Sequence, residues 1–288
     1  MTKDELTKWF LCDEKIMLTV VKSTNMVNKA VKTHSLTCTT GAVLGRAITM
    51  GAMMGAKLKN TKDNITAVIM GDGPVGRVVT VSRFGSVVKG YLEVPEVDLM
   101  PNDNGKIDVG GAVGKGKLRV ISDYGFGKPY IGEINLVSGE IAEDFAMYYA
   151  NSLQQPCAIG LGVLMKDTKC TSAGGFLVEV MPDATEADIA EIEIVTNTLK
   201  DISNILKDID TVEFVNKYFG HLMPKLYETI EPKFKCDCTN ARVKKVVKSL
   251  SKEERETLYD ENGKIEVVCD FCGKVRCVSK EEIEKDNL

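Results

Sequence analysis

Histidine is nearly missing from this sequence, with only His34 and His221 among 288 residues. Neither stands beside a recognisable nucleophile, so hydrolytic chemistry through an imidazole base is excluded and no catalytic centre is expected. An excess of basic charge is also missing. The formal net charge is -4, which argues against a chain that grips nucleic acid or an anionic membrane along its length. No long hydrophobic run is present: the longest apolar tract, Thr40 to Ala56, is interrupted by Arg46 and is too short to span a bilayer. The start, Met1-Thr2-Lys3-Asp4-Glu5, has no apolar run behind a basic one, so no secretory signal is expected and the chain is placed in the cytoplasm.

Nucleotide-binding loops are absent on inspection. Gly71-Asp-Gly-Pro-Val-Gly76 matches a dinucleotide fingerprint, yet Pro74 lacks an amide proton and Val78 to Val81 reads as strand where a helix should follow. A turn between strands is expected there. Gly110-Gly-Ala-Val-Gly-Lys115 has the wrong spacing for a phosphate loop. No nucleotide, nucleic-acid or membrane partner is therefore expected.

What remains is a soluble globular composition, 44% hydrophobic and 27% charged, long enough for roughly two domains. Helices are predicted over Ser23 to Lys32 and Thr40 to Leu58, with Ser23 and Thr40 as caps. Gly41, Gly45, Gly51 and Gly55 on the second helix imply close packing. From Asn64 the pattern changes to strands: 65–70, 77–81, 87–94, 118–121 and 130–136. A helix from Glu140 to Ser152 and strands 158–165 and 175–180 follow. Strands in runs with helices set apart indicate an α+β core, residues 1–181, with a mostly antiparallel sheet and helices.

At Met181-Pro182 the character shifts. Thr185-x-x-Asp188 reads as a capping box. Ile189, Ile192, Val195, Leu199, Ile202, Leu206 and Ile209 then recur every three or four residues, a single apolar stripe on one amphipathic helix. A shorter helix, Val212 to Phe219, ends at Gly220. Residues 182–231 hold eleven acids against four bases, giving a helical acidic connector whose apolar side must lie on something.

Nine cysteines in a chain without an export signal are expected to be reduced. Four of them cluster: Cys236-Asp-Cys238, then Cys269-Asp-Phe-Cys272-Gly273. Two thiolate pairs at such spacing suit one tetrahedral zinc ion per chain, held by Cys236, Cys238, Cys269 and Cys272. Between them, Thr239 or Asn240 can cap a helix to Lys248, Ser251-x-x-Glu254 a second, and Asn262-Gly263 can turn into a strand, Ile265 to Val268. The tail, 232–288, is too small to bury much apolar surface, so zinc would supply most of its folding energy. Spacing alone leaves two readings open, a passive zinc staple and a switch. For the switch, oxidation can join neighbouring ligands into disulfides and release zinc beside an amphipathic connector.

Three blocks then carry a resemblance: Ile65-Thr-Ala-Val-Ile-Met-Gly-Asp-Gly-Pro74, Ala173-Gly-Gly-Phe-Leu-Val-Glu-Val-Met-Pro182, and Phe234-Lys-Cys-Asp-Cys238 with Cys269-Asp-Phe-Cys-Gly273. In this order and spacing the chain resembles the redox-regulated 33 kDa heat-shock chaperone family (33 kDa chaperonin) over essentially its whole length. The resemblance implies an ATP-independent holdase, not an enzyme, inactive when reduced and zinc-bound. Oxidation with unfolding stress is implied to form disulfides Cys236–Cys238 and Cys269–Cys272, the latter the oxidant sensor. Zinc is then lost, tail and connector unfold, and the protein becomes a homodimer that binds unfolding clients. Ile189, Ile192, Val195, Leu199, Ile202 and Leu206 form the candidate client surface.

Cys277 departs from the family, standing where an aromatic is expected. It reads as a buried small hydrophobe in preference to a spare thiol. Cys12, Cys38, Cys157 and Cys170 are scattered and read as core residues. Two rivals remain. A zinc-ribbon nucleic-acid-binding protein would need a basic tail, but the tail has thirteen bases against twelve acids. A thiol oxidoreductase would need its Cys-x-x-Cys at a helix start, whereas Gly273 and a predicted hairpin follow.

Overall fold

The computed structural model describes residues 3–284, with the side chain of residue 284 left aside. Two compact units are present, one running to Lys235 and the other starting at Cys236. The first unit opens with strands β1 (Glu5–Leu11) and β2 (Ile16–Lys22), then helices α1 (Thr24–His34) and α2 (Cys38–Gly55). There follow β3 (Asn64–Gly71), β4 (Arg77–Arg83), β5 (Val87–Leu92), the short α3 (Val109–Val113), β6 (Gly116–Asp123) and β7 (Tyr130–Asn135). Helix α4 (Ala142–Ser152) leads to the long hairpin β8 (Cys157–Lys166) and β9 (Lys169–Val180). The unit closes with α5 (Glu186–Thr198), α6 (Ile202–Asp208), α7 (Thr211–Phe219), β10 (Lys225–Ile230) and β11 (Lys233–Phe234).

Its strands form two sheets, ordered β10-β1-β2-β9-β8 and β11-β5-β4-β3-β6-β7. Every pairing is antiparallel except β11 with β5. The α+β class and the mostly antiparallel sheet expected from the sequence are present. Helix α2 is buried along nearly its whole length and packs on strands of both sheets. Its glycines allow the approach: a Cβ at Gly55 would sit 2.8 Å from the Arg83 carbonyl oxygen, and one at Gly45 3.0 Å from a Val163 methyl.

Several local expectations need correction. Thr37, not Thr40, caps α2: Thr40 lies one turn in, its amide donating to Thr37 Oγ1 at 3.2 Å while the Thr37 amide donates to Thr40 Oγ1 at 2.9 Å. Ser23 precedes α1 but caps nothing, because its hydroxyl is engaged with Thr49 Oγ1 at 2.7 Å. The first α1 amides, of Asn25 and Met26, donate to the Asp4 carboxylate at 2.8 and 2.6 Å, a cap supplied from beside β1. Helix α4 starts at Ala142 because buried Asp144 gathers the amides of Val137 (2.7 Å) and Ile141 (2.9 Å) into a preceding turn. Strands β1, β2, β10 and β11 were not among the sequence expectations.

The stripe from Ile189 to Ile209 is not one helix. Thr185 and Asp188 form the predicted capping box on α5, but the helix stops at Thr198 and resumes at Ile202. The break lowers α6 onto a floor of small residues: a Cβ at Gly162 would meet the Ser203 backbone nitrogen at 2.7 Å, and one at Gly174 a Leu206 methyl at 2.6 Å. Ser172 Oγ donates to the Ser203 carbonyl at 2.7 Å, fixing the contact. Helices α5 to α7 cover one face of the five-stranded sheet. Ile192, Val195, Leu199, Ile202, Leu206, Phe214 and Phe219 there share a buried cluster with Trp9, Leu11, Leu18, Phe176 and Val178. Among the described residues no helix is long and apolar enough to cross a membrane.

The second unit comprises α8 (Asn240–Ser249), α9 (Lys252–Leu258), the hairpin β12 (Lys264–Val268) and β13 (Val275–Ser279), and α10 (Lys280–Glu284). Thr239 and Ser251 cap the two larger helices as expected, and Gly263 takes φ 68° in the turn before β12. Its apolar centre is small: Val243, Val247, Ile265, Val278 and Ile283.

Candidate metal centre

The four clustered cysteines are carried on two arms of the second unit. Cys236 and Cys238 lie in irregular chain just before α8, and Cys269 and Cys272 lie in the turn between β12 and β13. That turn is closed by the Cys272 and Gly273 amides, which donate to the Cys269 carbonyl at 3.1 and 2.7 Å. Gly273 takes φ 65°, so the glycine after the second cysteine lets the chain turn back into β13. Amides also aim at sulfur. The Phe271 amide donates to the Cys269 thiol and the Cys238 amide to the Cys236 thiol.

The result brings all four sulfurs within 4.8 Å of one another. Cys236 Sγ lies 3.7 Å from Cys269 Sγ, and Cys238 Sγ 3.4 Å from Cys272 Sγ. A tetrahedron with arms of 2.3 Å has edges of about 3.8 Å, so the donor set fits one metal ion and is compatible with zinc. Arg276 reaches in from β13: Nη2 donates to the Cys238 carbonyl at 2.9 Å and lies 3.7 Å from its Sγ, while Nη1 donates to Asn240 Oδ1 at 3.0 Å. Arg276 was not anticipated from the sequence.

Thiol acidity differs within the group. Burial pushes Cys236 up to about 12 and raises Cys269. Burial also raises Cys238, but hydrogen bonds from Cys272 and Arg276 outweigh it and bring that thiol down to about 7. The scattered cysteines behave otherwise: Cys157 and Cys170 are each pushed by burial up to about 12, which makes them inert thiols. Cys12 and Cys170 are buried, and Cys38 and Cys157 half-buried.

Cys277 is not the buried hydrophobe expected. It is exposed on β13 opposite Glu266, while its neighbour Val278, opposite Ile265, points inward. Strand alternation decides this, since adjacent residues face opposite sides.

The other sequence candidates sit apart from the cluster. In the first unit the glycine-rich segments 71–76 and 110–115 pack on each other, the Gly73 amide donating to the Val113 carbonyl at 3.0 Å. The first of them is a turn between β3 and β4, as expected. His34 packs edge-on against Phe234 at 6.4 Å, and His221 pairs with Glu191 at 3.7 Å. Of the candidate client residues, Ile189 is half-buried and Ile192, Val195, Leu199, Ile202 and Leu206 are buried against the sheet.

Comparison with known proteins places this geometry in context. The family described as Hsp33 protein matches residues 4–279. A 33 kDa chaperonin of Caldanaerobacter subterraneus subsp. tengcongensis is 40% identical over 285 residues, covering 98% of this chain and 97% of the relative. One from Clostridium botulinum (strain Langeland) is 39% identical, covering 98% and 96%. The crystal structure of the 33 kDa chaperonin (heat shock protein 33 homolog) from Thermotoga maritima superposes with a TM-score of 0.90 at 35% identity, covering 99% of this chain and 97% of that one.

Proposed function

This chain belongs to the Hsp33 family, and from that premise we propose a redox-regulated, ATP-independent holdase of the cytoplasm with one zinc ion per reduced chain. A chaperone function is what the family supports. The observation that carries the finer reading is the meeting of four thiols from two short arms within 4.8 Å, in a unit with only five buried apolar side chains among its described residues.

When bound, the ion supplies folding energy to the small unit and keeps four sulfurs as thiolates. Oxidation acts on the chain's own sulfur. One thiolate attacks a peroxide oxygen, the O–O bond breaks, and a sulfenic acid and hydroxide result. The partner thiol then displaces the sulfenic oxygen as water, so two thiols and one peroxide become one disulfide and two waters. Two such events leave no sulfur donor for the metal. The unit from Cys236 loses its support, the connector 182–231 leaves its sheet, and the buried stripe becomes available to unfolding proteins and to dimerisation.

Pairing by position in the family gives Cys236–Cys238 and Cys269–Cys272. Two sulfur–sulfur contacts offer a second pairing across the arms, Cys236–Cys269 at 3.7 Å and Cys238–Cys272 at 3.4 Å. Non-reducing peptide mapping separates them. Local pairs are the expected result; cross-arm pairs would fasten the arms together and count against unfolding of the tail.

The carrying experiment is metal content and free-thiol titration before and after peroxide at raised temperature, with light scattering of a heat-aggregating protein alongside. One zinc per chain, lost with four thiols as aggregation suppression appears, is expected. Zinc retained through oxidation, or equal suppression by reduced protein, would leave a passive staple.

Two substitutions probe the parts. Arg276→Ala removes the guanidinium beside Cys238 and is expected to weaken metal retention about tenfold in chelator competition, the range found for outer-sphere partners. Unchanged retention would reduce Arg276 to a packing residue. Replacing Ile192, Leu199 and Ile202 together with Ser is expected to lower the capacity of the oxidised protein for clients several-fold; unchanged capacity places the client surface elsewhere.

A further inference from the structure

Strand β10 occupies the outer edge of the five-stranded sheet. It pairs with β1 from Leu6↔Ile230 to Phe10↔Lys225, with one irregularity between Lys8 and Trp9. Five of its six residues are exposed and the sixth is half-buried. Side-chain support is slight: the Tyr227 ring lies 5.1 Å from Phe10 and 5.0 Å from Lys8 Nζ, and Lys8 pairs with exposed Glu228 at 3.3 Å. What holds β10 is main-chain hydrogen bonding, which any extended polypeptide can offer.

The strand beneath it differs. On β1, Trp9 and Leu11 are buried and continue with Leu18 on β2 and Phe176 on β9 into the apolar face that α5 to α7 cover. Strand β10 and those three helices belong to one continuous stretch of chain, 186–230. Its departure bares two complementary features together, a row of unpaired N–H and C=O groups on β1 and an apolar floor beside it. The edges at β8 and β7 are edges in the folded chain as well, so they cannot distinguish a resting from an active protein. Edge strand β11 lies outside that stretch, so among the described residues only the β1 edge is masked by the segment that is to be released.

We propose that the β1 edge vacated by β10 is the receptor for clients: an extended apolar segment of an unfolding protein adds there as a strand. Its alternate side chains lie on the Trp9, Leu11 and Leu18 face. The proposal rests on the connector-release reading above and gives it a binding mode. Recognition through backbone groups would make this site tolerant of client sequence, since the specificity of strand addition resides in side-chain pockets and the backbone ladder is shared by all chains.

The N–H groups of an inner strand point alternately to its two neighbours, so β1 reports on β10 and β2 separately. Hydrogen exchange resolved by amide over Glu5–Leu11 is measured on the full chain when reduced, after peroxide at raised temperature, and after addition of reduced, unfolded α-lactalbumin. The β10-directed amides are expected to lose protection at least tenfold on oxidation and to regain it with α-lactalbumin, while the β2-directed amides stay protected throughout. Persistent protection of the first set on oxidation overturns the proposal, as does loss of both sets or failure to regain protection with client co-eluting. Light scattering on the same samples tells the two readings apart. Aggregation suppressed without reprotection of β1 sinks the edge alone, and no suppression at all sinks the redox-chaperone reading together with it.

Discussion

Removing zinc from the reduced protein with a strong chelator is expected to unfold residues 236–284 while both sheets of the first unit stay intact. The second unit orders about fifty residues around Val243, Val247, Ile265, Val278 and Ile283, with Tyr259 and Val267 partly buried beside them. A unit of that size is marginal on apolar burial alone. Apparent zinc binding in comparable four-ligand sites is worth on the order of 10 kcal/mol or more, far above what five aliphatic side chains leave after chain entropy. Hydrogen exchange of β12 and β13 against that of β3 and β6 gives the readout. Full loss of protection in the hairpin, reversed by added zinc, is the anticipated outcome. A hairpin that keeps its protection without metal would show that the unit stands unaided, and sulfur oxidation could then not release it.

The second large effect is expected at Phe214. Its side chain is fully buried in the connector's contact with the sheet, with ring centroids of Tyr218 at 5.2 Å and Phe219 at 6.0 Å. Phe214→Ala leaves a cavity that costs about 3–5 kcal/mol. Because the burial of Phe214 among the sheet residues exists only when α7 is docked, most of the cost falls on docking and shifts the docked-to-released ratio by roughly 10² to nearly 10⁴. The reduced, zinc-loaded variant is expected to suppress aggregation without oxidant, at temperatures where the parent chain does not. Client capture as a function of temperature for both proteins, with zinc content monitored, measures the shift. A variant that loses connector stability yet stays inactive until oxidised would mean that undocking is not the gate.

Legibility of these features in the sequence followed how local their causes are. The metal arms were readable because Cys-x-Cys, Cys-x-x-Cys-Gly, the caps Thr239 and Ser251 and the Asn262-Gly263 turn are each set by neighbours a few residues apart. The break between α5 and α6 was hidden because Leu199 to Ile202 keeps the three-residue interval of the stripe. The cause lies about forty residues upstream, in the glycine at 162. Strand β10 left no trace since residues exposed on both faces carry no alternation. The α1 cap comes from Asp4, beyond any local rule. Cys277 turned on strand phase: shifting β13 by one residue exchanges it with Val278, and sequence alone left that phase open. Arg276 shares the difficulty, as its value comes from reaching to Cys238 on the other arm, 38 residues away in sequence.

The short pairing of β11 with β5 carries a kinetic consequence. Phe234 is buried, and the Lys233 and Lys235 amides donate to Ser86 and Val88 carbonyls at 3.0 and 2.8 Å. A connector that leaves its face between Val180 and Lys233 is therefore a loop anchored at both ends. For about fifty residues, anchoring withholds roughly 3–4 kcal/mol of the entropy that a free tail would gain. It also keeps the loop at an effective local concentration in the millimolar range over its own docking face. Redocking of a connector that is free of client and of a second copy is then a unimolecular event whose rate does not change with protein concentration.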